Sequence, residues 1–206
     1  AVGASLQELG VRALVADSNY QNTAAAWMDG VPAYHGNILT ESAAEEIELT
    51  GIGRMIALTA NDQVNTLAAQ RMERFFGRVG VFKLAPKTRS DDHETPELGG
   101  RILGDESVTY SKLAALWARD GGIVVTPLSS AYTLAAFRAD HGDDAVPLFQ
   151  LSANGRLTVL SPSQPPPSPR GAKVISIAAN AEIVRSMQQA RSLLEVEELP
   201  DENNAG

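Results

Sequence analysis

The feature that most constrains this chain is a rhythm in its first half. Four short apolar runs, Val11–Ala16, Val31–His35, Arg54–Leu58 and Val79–Leu84, are separated by stretches with helical spacing. Strands alternating with helices of about 10–15 residues mark βαβ units and a parallel sheet. The spacing predicts helices over residues 1–9, from Tyr20 to Asp29 with Gly30 as the stop, from about Thr40, and from Asp62 to Phe76. Thr40 or Ser42 is the expected cap of the third, with Gly51 and Gly53 closing it. Val64, Leu67, Ala68, Met72 and Phe75 form the expected apolar stripe of the fourth. Gly77 ends that helix. Runs as apolar as Val11–Ala16 and Arg54–Leu58 read as buried strands.

The rhythm breaks between Pro86 and Gly100, where charged residues crowd a segment with almost no apolar anchors. That stretch reads as an exposed linker. Beyond it a short strand at Arg101–Leu103 precedes a helix carrying Leu113, Leu116 and Trp117, and Ile123–Thr126 is strand-like. Val146–Leu151 and Arg156–Leu160 flank Ser152-Ala153-Asn154-Gly155, a strong hairpin signal. After a proline-rich excursion, Lys173–Ile177 supplies a last strand, and a short helix bears Ile183, Val184, Met187 and Leu194. The expected organisation is an α/β Rossmann-like parallel-sheet domain over residues 1–85, a linker over 86–100, a small α+β companion domain over 101–194, and a disordered acidic tail over 195–206.

Composition narrows the function. With 206 residues, 44% hydrophobic and 20% charged, the chain has the make-up of a soluble globular protein. A net charge of −8 argues against a nucleic-acid partner. There is no cysteine, so disulfides and thiolate metal sites are excluded. His35, His93 and His141 lie in unrelated contexts, and no metal is expected. Catalysis finds little support either. No Gly-x-Ser-x-Gly elbow exposes a serine, and Tyr110 and Lys112, two apart, cannot share a helical face. Glu45, Glu46 and Glu48 read as a solvated face.

Three strand ends carry the candidate site. Asp17, followed by Ser18, stands at the carboxyl end of its strand, where open parallel sheets bind ligands. It either accepts hydrogen bonds from ribose hydroxyls or merely caps the next helix. Gly36-Asn37 ends the second strand. Gly36 permits close backbone approach and Asn37 offers a paired donor and acceptor to an adenine edge; alternatively, Gly36 only serves the turn. Thr59, Ala60, Asn61 and Asp62 lead into a helix, where hydroxyl, amide and N–H groups suit a phosphate or ribose, or simply cap. The glycine fingerprint that precedes such an acid by about 20 residues falls ahead of Ala1. The reading favours a first strand and glycine loop upstream of these residues.

The order strand–Asp17, then Tyr34-His35-Gly36-Asn37-Ile38-Leu39, then Ile52 through Asn65 resembles the regulator-of-potassium-conductance (TrkA N-terminal) domain. It looks most like versions fused to bacterial sodium:proton antiporters. Val146-Pro147-Leu148-Phe149 and Gly155-Arg156-Leu157 are similar to the companion domain of those antiporters. The resemblance implies a Rossmann-like fold, a homodimer, and no enzymatic activity. It further implies an adenine nucleotide or NAD(H) that biases transport by the transmembrane part of the same polypeptide at the cytoplasmic face of the bacterial inner membrane. Asp17 would take the ribose, Asn37 the adenine side, and Thr59, Asn61 and Asn65 the pocket wall near the phosphates, with Ser18, Gly36 and Ala60 completing the nucleotide-binding set. Asn37 stands where the family commonly has aspartate, and the glycine loop is absent from these residues. An acid at position 17 disfavours a 2′-phosphate. The alternatives are a small NAD-dependent oxidoreductase and a ligand-free assembly domain.

Overall fold

The computed structural model describes residues 1–87, 99–164, 166–167, 169–186 and 188. The expected tail, the middle of the expected linker with His93, and Met187 and Leu194 of the last helix lie outside the described residues.

The amino-terminal part is parallel throughout. Helix α1 (Val2–Glu8) precedes β1 (Val15–Asp17), which runs through α2 (Tyr20–Met28) into β2 (Ala33–His35). β1 and β2 pair in parallel, with Val15 opposite Ala33 and Asp17 opposite His35. After the four-residue α3 (Ala43–Glu46), β3 (Met55–Ala57), α4 (Asp62–Phe76), β4 (Val81–Lys83) and β5 (Arg101–Ile102) follow. These three strands form a second parallel sheet in the order β3–β4–β5.

Several expectations change here. The first strand is half as long as its apolar run, and Val15 is only half-buried, as are Met55 and Ile56. Each of these strands has a neighbour on one side only, so a face that a continuous sheet would cover stays open. α3 is a single turn whose Ser42 makes no capping bond, and its carboxyl end comes at Glu46 rather than at the glycines. The buried stripe of α4 is Asn65, Ala68, Ala69 and Met72; Ala68 and Met72 are as expected, and Asn65 and Ala69 take the place of Leu67 and Phe75. Leu67 and Phe75 are exposed. Arg101, expected to open a separate domain, pairs instead beside Phe82 of β4. The ends of the charged segment are anchored to α4: Lys87 N donates to Asp62 Oδ2 (3.0 Å) and Gly100 N to Glu73 Oε1 (3.3 Å). Gly99 and Gly100 are buried.

The carboxy-terminal part is an antiparallel sheet of β6 (Gly122–Pro127), β7 (Ala145–Leu151), β8 (Leu157–Val159) and β9 (Lys173–Ala178), in the order β6–β9–β7–β8. The Asn154-Gly155 hairpin forms as expected, with Gly155 at φ 79°, where an L side chain is strained. Helix α5 (Tyr110–Trp117) buries Leu113 and Leu116, while Trp117 is about half-exposed. Helix α6 (Leu134–His141), capped by Thr133, is not disclosed by the sequence reading. A further helix starts at 181.

The burial of β7 along its whole length, Gln150 included, has a simple cause. Both faces of its sheet are covered. Ile175 and Ile177 of β9 turn to one face, packing with Leu6, Phe82, Leu103 and Phe149. Val174 and Ala178 turn to the other, with Leu134 and Phe137 of α6. The first cluster therefore draws on both parts of the chain, and Gly104 N donates to Leu160 O (2.7 Å) between them.

Candidate nucleotide site

The predicted site residues gather at the carboxyl ends of β1, β2 and β3. Between β1 and β3 runs a groove of about 640 Å³ bordered by Asp17, Thr59 and Asn65. Ser18, Gly36, Asn37, Ala60 and Asn61 do not line it.

Asp17 organises the turn from β1 into α2. Its Oδ1 accepts from Asn19 N (2.8 Å) and its Oδ2 from the Asn22 side-chain amide (2.7 Å). Asn19, in turn, caps α2 through Gln21 N (2.9 Å). Asn19, and not Asp17, is thus the cap of α2, and two of the roughly four acceptor positions of the Asp17 carboxylate are taken. The carbonyl of Ser18 meets His35 Nε2 at 3.2 Å, and His35 lies edge-on to Tyr20.

Gly36 serves its turn in a specific way. Its N donates to Asp17 O (3.0 Å), and a Cβ there would come within 2.7 Å of the Tyr34 hydroxyl oxygen. Tyr34, which sequence reasoning did not single out, folds back over the glycine and donates to Glu46 Oε2 (3.1 Å). Loss of water contact, the hydrogen bond and the charge of Glu46 all push its phenol above the ordinary value. The only sequence signal for this pair is a tyrosine two residues before a glycine. Asn37 is exposed, and its Oδ1 accepts from Leu39 N (2.9 Å), a local Asx turn.

The β3–α4 corner is held from within. Asn65, 1% exposed, accepts at Oδ1 from Thr59 N (2.9 Å) and Thr59 Oγ1 (2.8 Å), and its Nδ2 donates to Thr59 O (2.8 Å). Asn61 caps α4 by accepting from Gln63 N (3.0 Å) and Val64 N (3.1 Å). The first amides of α4 that a phosphate would seek are therefore engaged by the Asn61 side chain. A ligand phosphate at this corner has to displace it or approach through Ala60.

Elsewhere, Lys112 pairs with Asp143 (2.7 Å) and Ser107 Oγ (3.2 Å), not with Tyr110. Among the described residues no group of three or more His, Asp or Glu side chains is placed to hold a metal. Nor is any helix among them long and apolar enough to cross a membrane.

No protein-family model and no curated protein matches this chain. Among solved structures it is similar to the GsuK RCK domain, at 14% identity over 86% of this chain and 46% of that chain, with a TM-score of 0.29. It is also similar to the GsuK channel bound to NAD, at 15% identity over 86% of this chain and 38% of that one, with a TM-score of 0.31. A second GsuK channel structure gives the same identity and score. The chain spans less than half the length of each. At scores of this size the likeness carries no argument about fold or function.

Proposed function

We propose that this chain is a regulatory module which binds an adenine nucleotide or NAD(H) across the carboxyl ends of β1, β2 and β3. As a homodimer it biases a transmembrane antiporter part of the same polypeptide at the cytoplasmic face of the bacterial inner membrane. The reading takes the parallel sheets as a Rossmann-like arrangement and assigns the chain no reaction of its own.

One observation carries it. The Asp17 carboxylate stands at the end of β1, on the border of the groove between the two parallel sheets. That is the place where open α/β sheets bind ligands, and the carboxylate keeps acceptor capacity for two ribose hydroxyls.

Calorimetry with NADH, NAD, ATP and ADP tests this on the polypeptide extended upstream of Ala1. Asp17→Asn keeps one acceptor for Asn19 N and removes the charge; affinity should fall at least about tenfold, as expected for loss of a charged acceptor. No heat at millimolar concentration with any of the four sinks the ligand half of the proposal.

A second reading is a ligand-free assembly domain. It is favoured by the engagement of Asn37, Asn61 and Asn65 within their own turns. A dimer by light scattering together with flat calorimetry would select it.

A further inference from the structure

Arg101 opens β5, at the edge of its sheet away from the groove, and its guanidinium lies over the Phe82 ring, 5.4 Å from the centroid. The turn that follows β8, closed by Gln164 N on Ser161 O (3.2 Å), meets it there. Arg101 Nε and Nη2 donate to Ser163 Oγ (3.0 and 2.9 Å), and Nη1 donates to Gln164 Oε1 (3.2 Å). Both lone pairs of the Ser163 hydroxyl are thus engaged, so in its 3.1 Å contact with Ser161 Oγ it is the donor. Ser163 is therefore a clamp that aims the arginine. Three of the five guanidinium N–H groups are held by neutral oxygens. One remains on each terminal nitrogen, and each can take an oxygen of an anion.

Arg101 shares a cleft of about 460 Å³ with Arg78, Val79, Gly100, Ser163 and Gln164. Arg78 belongs to the 3-10 turn Arg78–Gly80 between α4 and β4 and is exposed. Among the described residues no carboxylate pairs with either arginine. Glu73, whose Oε1 accepts from Gly100 N, does not line the cleft.

In a chain with 25 acidic and 17 basic side chains, a cation is expected to find a carboxylate. Elsewhere it does: Lys112 pairs with Asp143 (2.7 Å) and Arg119 with Asp144 (2.8 Å). Two arginines on one cleft, the first of them half-buried and clamped, repel each other until an anion enters.

The number of charges selects that anion. A carboxylate brings one charge and two oxygens, whereas a phosphomonoester brings close to two charges at pH 7 and three oxygens. The cleft has the size of a small-molecule site and exceeds a phosphate alone, and exposed Val79 offers a surface to carbon.

We propose that Arg78 and Arg101 form a ligand site, separate from the groove, that takes the phosphoryl group of a small soluble phosphomonoester. Arg101, aimed by Ser163 and Gln164, holds two of its oxygens, and Arg78 supplies the second charge. The cleft shares no residue with the groove at Asp17, so the site does not rest on the nucleotide reading.

Calorimetry on the 206-residue chain tests this with glycerol 3-phosphate, glycerol and acetate. Glycerol 3-phosphate should bind with a Kd below about 1 mM, while glycerol and acetate give no saturable heat. Its binding should tighten between about pH 5 and about pH 7.5, because its second proton leaves near pH 6. Arg78→Gln should weaken it at least about fivefold with Tm unchanged, since Arg78 has no partner to lose. Arg101→Lys keeps the charge but not the planar fork and should weaken it at least about tenfold. Vesicles containing phosphatidate should not cosediment with the chain, whose net charge of −8 is repelled by an anionic surface. No saturable heat with glycerol 3-phosphate at about 10 mM overturns the proposal, whether or not vesicles bind. So does acetate binding as tightly, or binding that Arg78→Gln leaves unchanged.

Discussion

Asn65 grips Thr59 at three points, taking its N–H and hydroxyl on one amide oxygen and giving its own N–H to the Thr59 carbonyl. The corner where β3 passes into α4 is thereby fixed by one buried side chain. Asn65→Ala should destabilise the protein by about 1–3 kcal/mol, since it removes the buried amide that satisfies the Thr59 N–H and C=O. Urea denaturation measures this. A loss under about 0.5 kcal/mol would mean the corner holds without the clasp.

Gly36 and Tyr34 make a second coupled pair. Gly36→Ala should push the Tyr34 ring off the turn and cost about 1–3 kcal/mol. Adding Tyr34→Ala should recover most of that loss, and Tyr34→Phe should recover little, because the ring remains. A double-mutant cycle in urea decides it.

The Tyr34 phenol is held above the ordinary tyrosine value by loss of water contact and by Glu46. A group whose folded pKa is raised contributes stability below its unfolded pKa and loses it as pH rises through the folded one. The Tyr34–Glu46 contribution should therefore vanish above about pH 10. Ultraviolet titration of the four tyrosines should show one late step, which Glu46→Gln moves earlier.

Asp143 has the opposite sign. Its hydrogen bond to Lys112 and the lysine's charge hold its pKa below 3.8. The pair's contribution is present above the unfolded value and disappears as pH falls through the folded one. Carbon-13 NMR titration of Asp143 should show the depressed midpoint, and Lys112→Met should return it to the ordinary range. Salt should weaken the effect, because Asp143 is exposed.

Gly99 sits at φ 76° against α4, where a Cβ would lie 2.5 Å from the Thr66 carbonyl oxygen. Backbone cannot give way as a side chain can. Gly99→Ala should cost about 2 kcal/mol or more and lower Tm by roughly 4–8 °C in calorimetry.

Much of the local structure is written in the residues. Asn19 before Tyr20 and Asn61 before Asp62 place two helix starts within a residue, because capping is a contact between near neighbours. The alternation of Ile175 and Val174 across β9, and Asn154-Gly155 at the hairpin tip, are likewise legible, since both depend only on strand period and turn geometry. The gathering of Asp17, Gly36 and Thr59 at strand ends follows from the same periodicity.

What tertiary structure alone decided are the relations between distant segments. Arg101 pairs with Phe82 rather than opening a separate sheet because hydrogen-bonded edges choose partners by space, not by order along the chain. Leu67 faces water and Asn65 the interior because the stripe of a helix is set by what packs on it, here Met55 and Val81 beside Met72. The groove between β1 and β3 belongs to this second kind. Residues alone mark both as strands; only the placement of β2 and β4, each on one side, leaves that space between them.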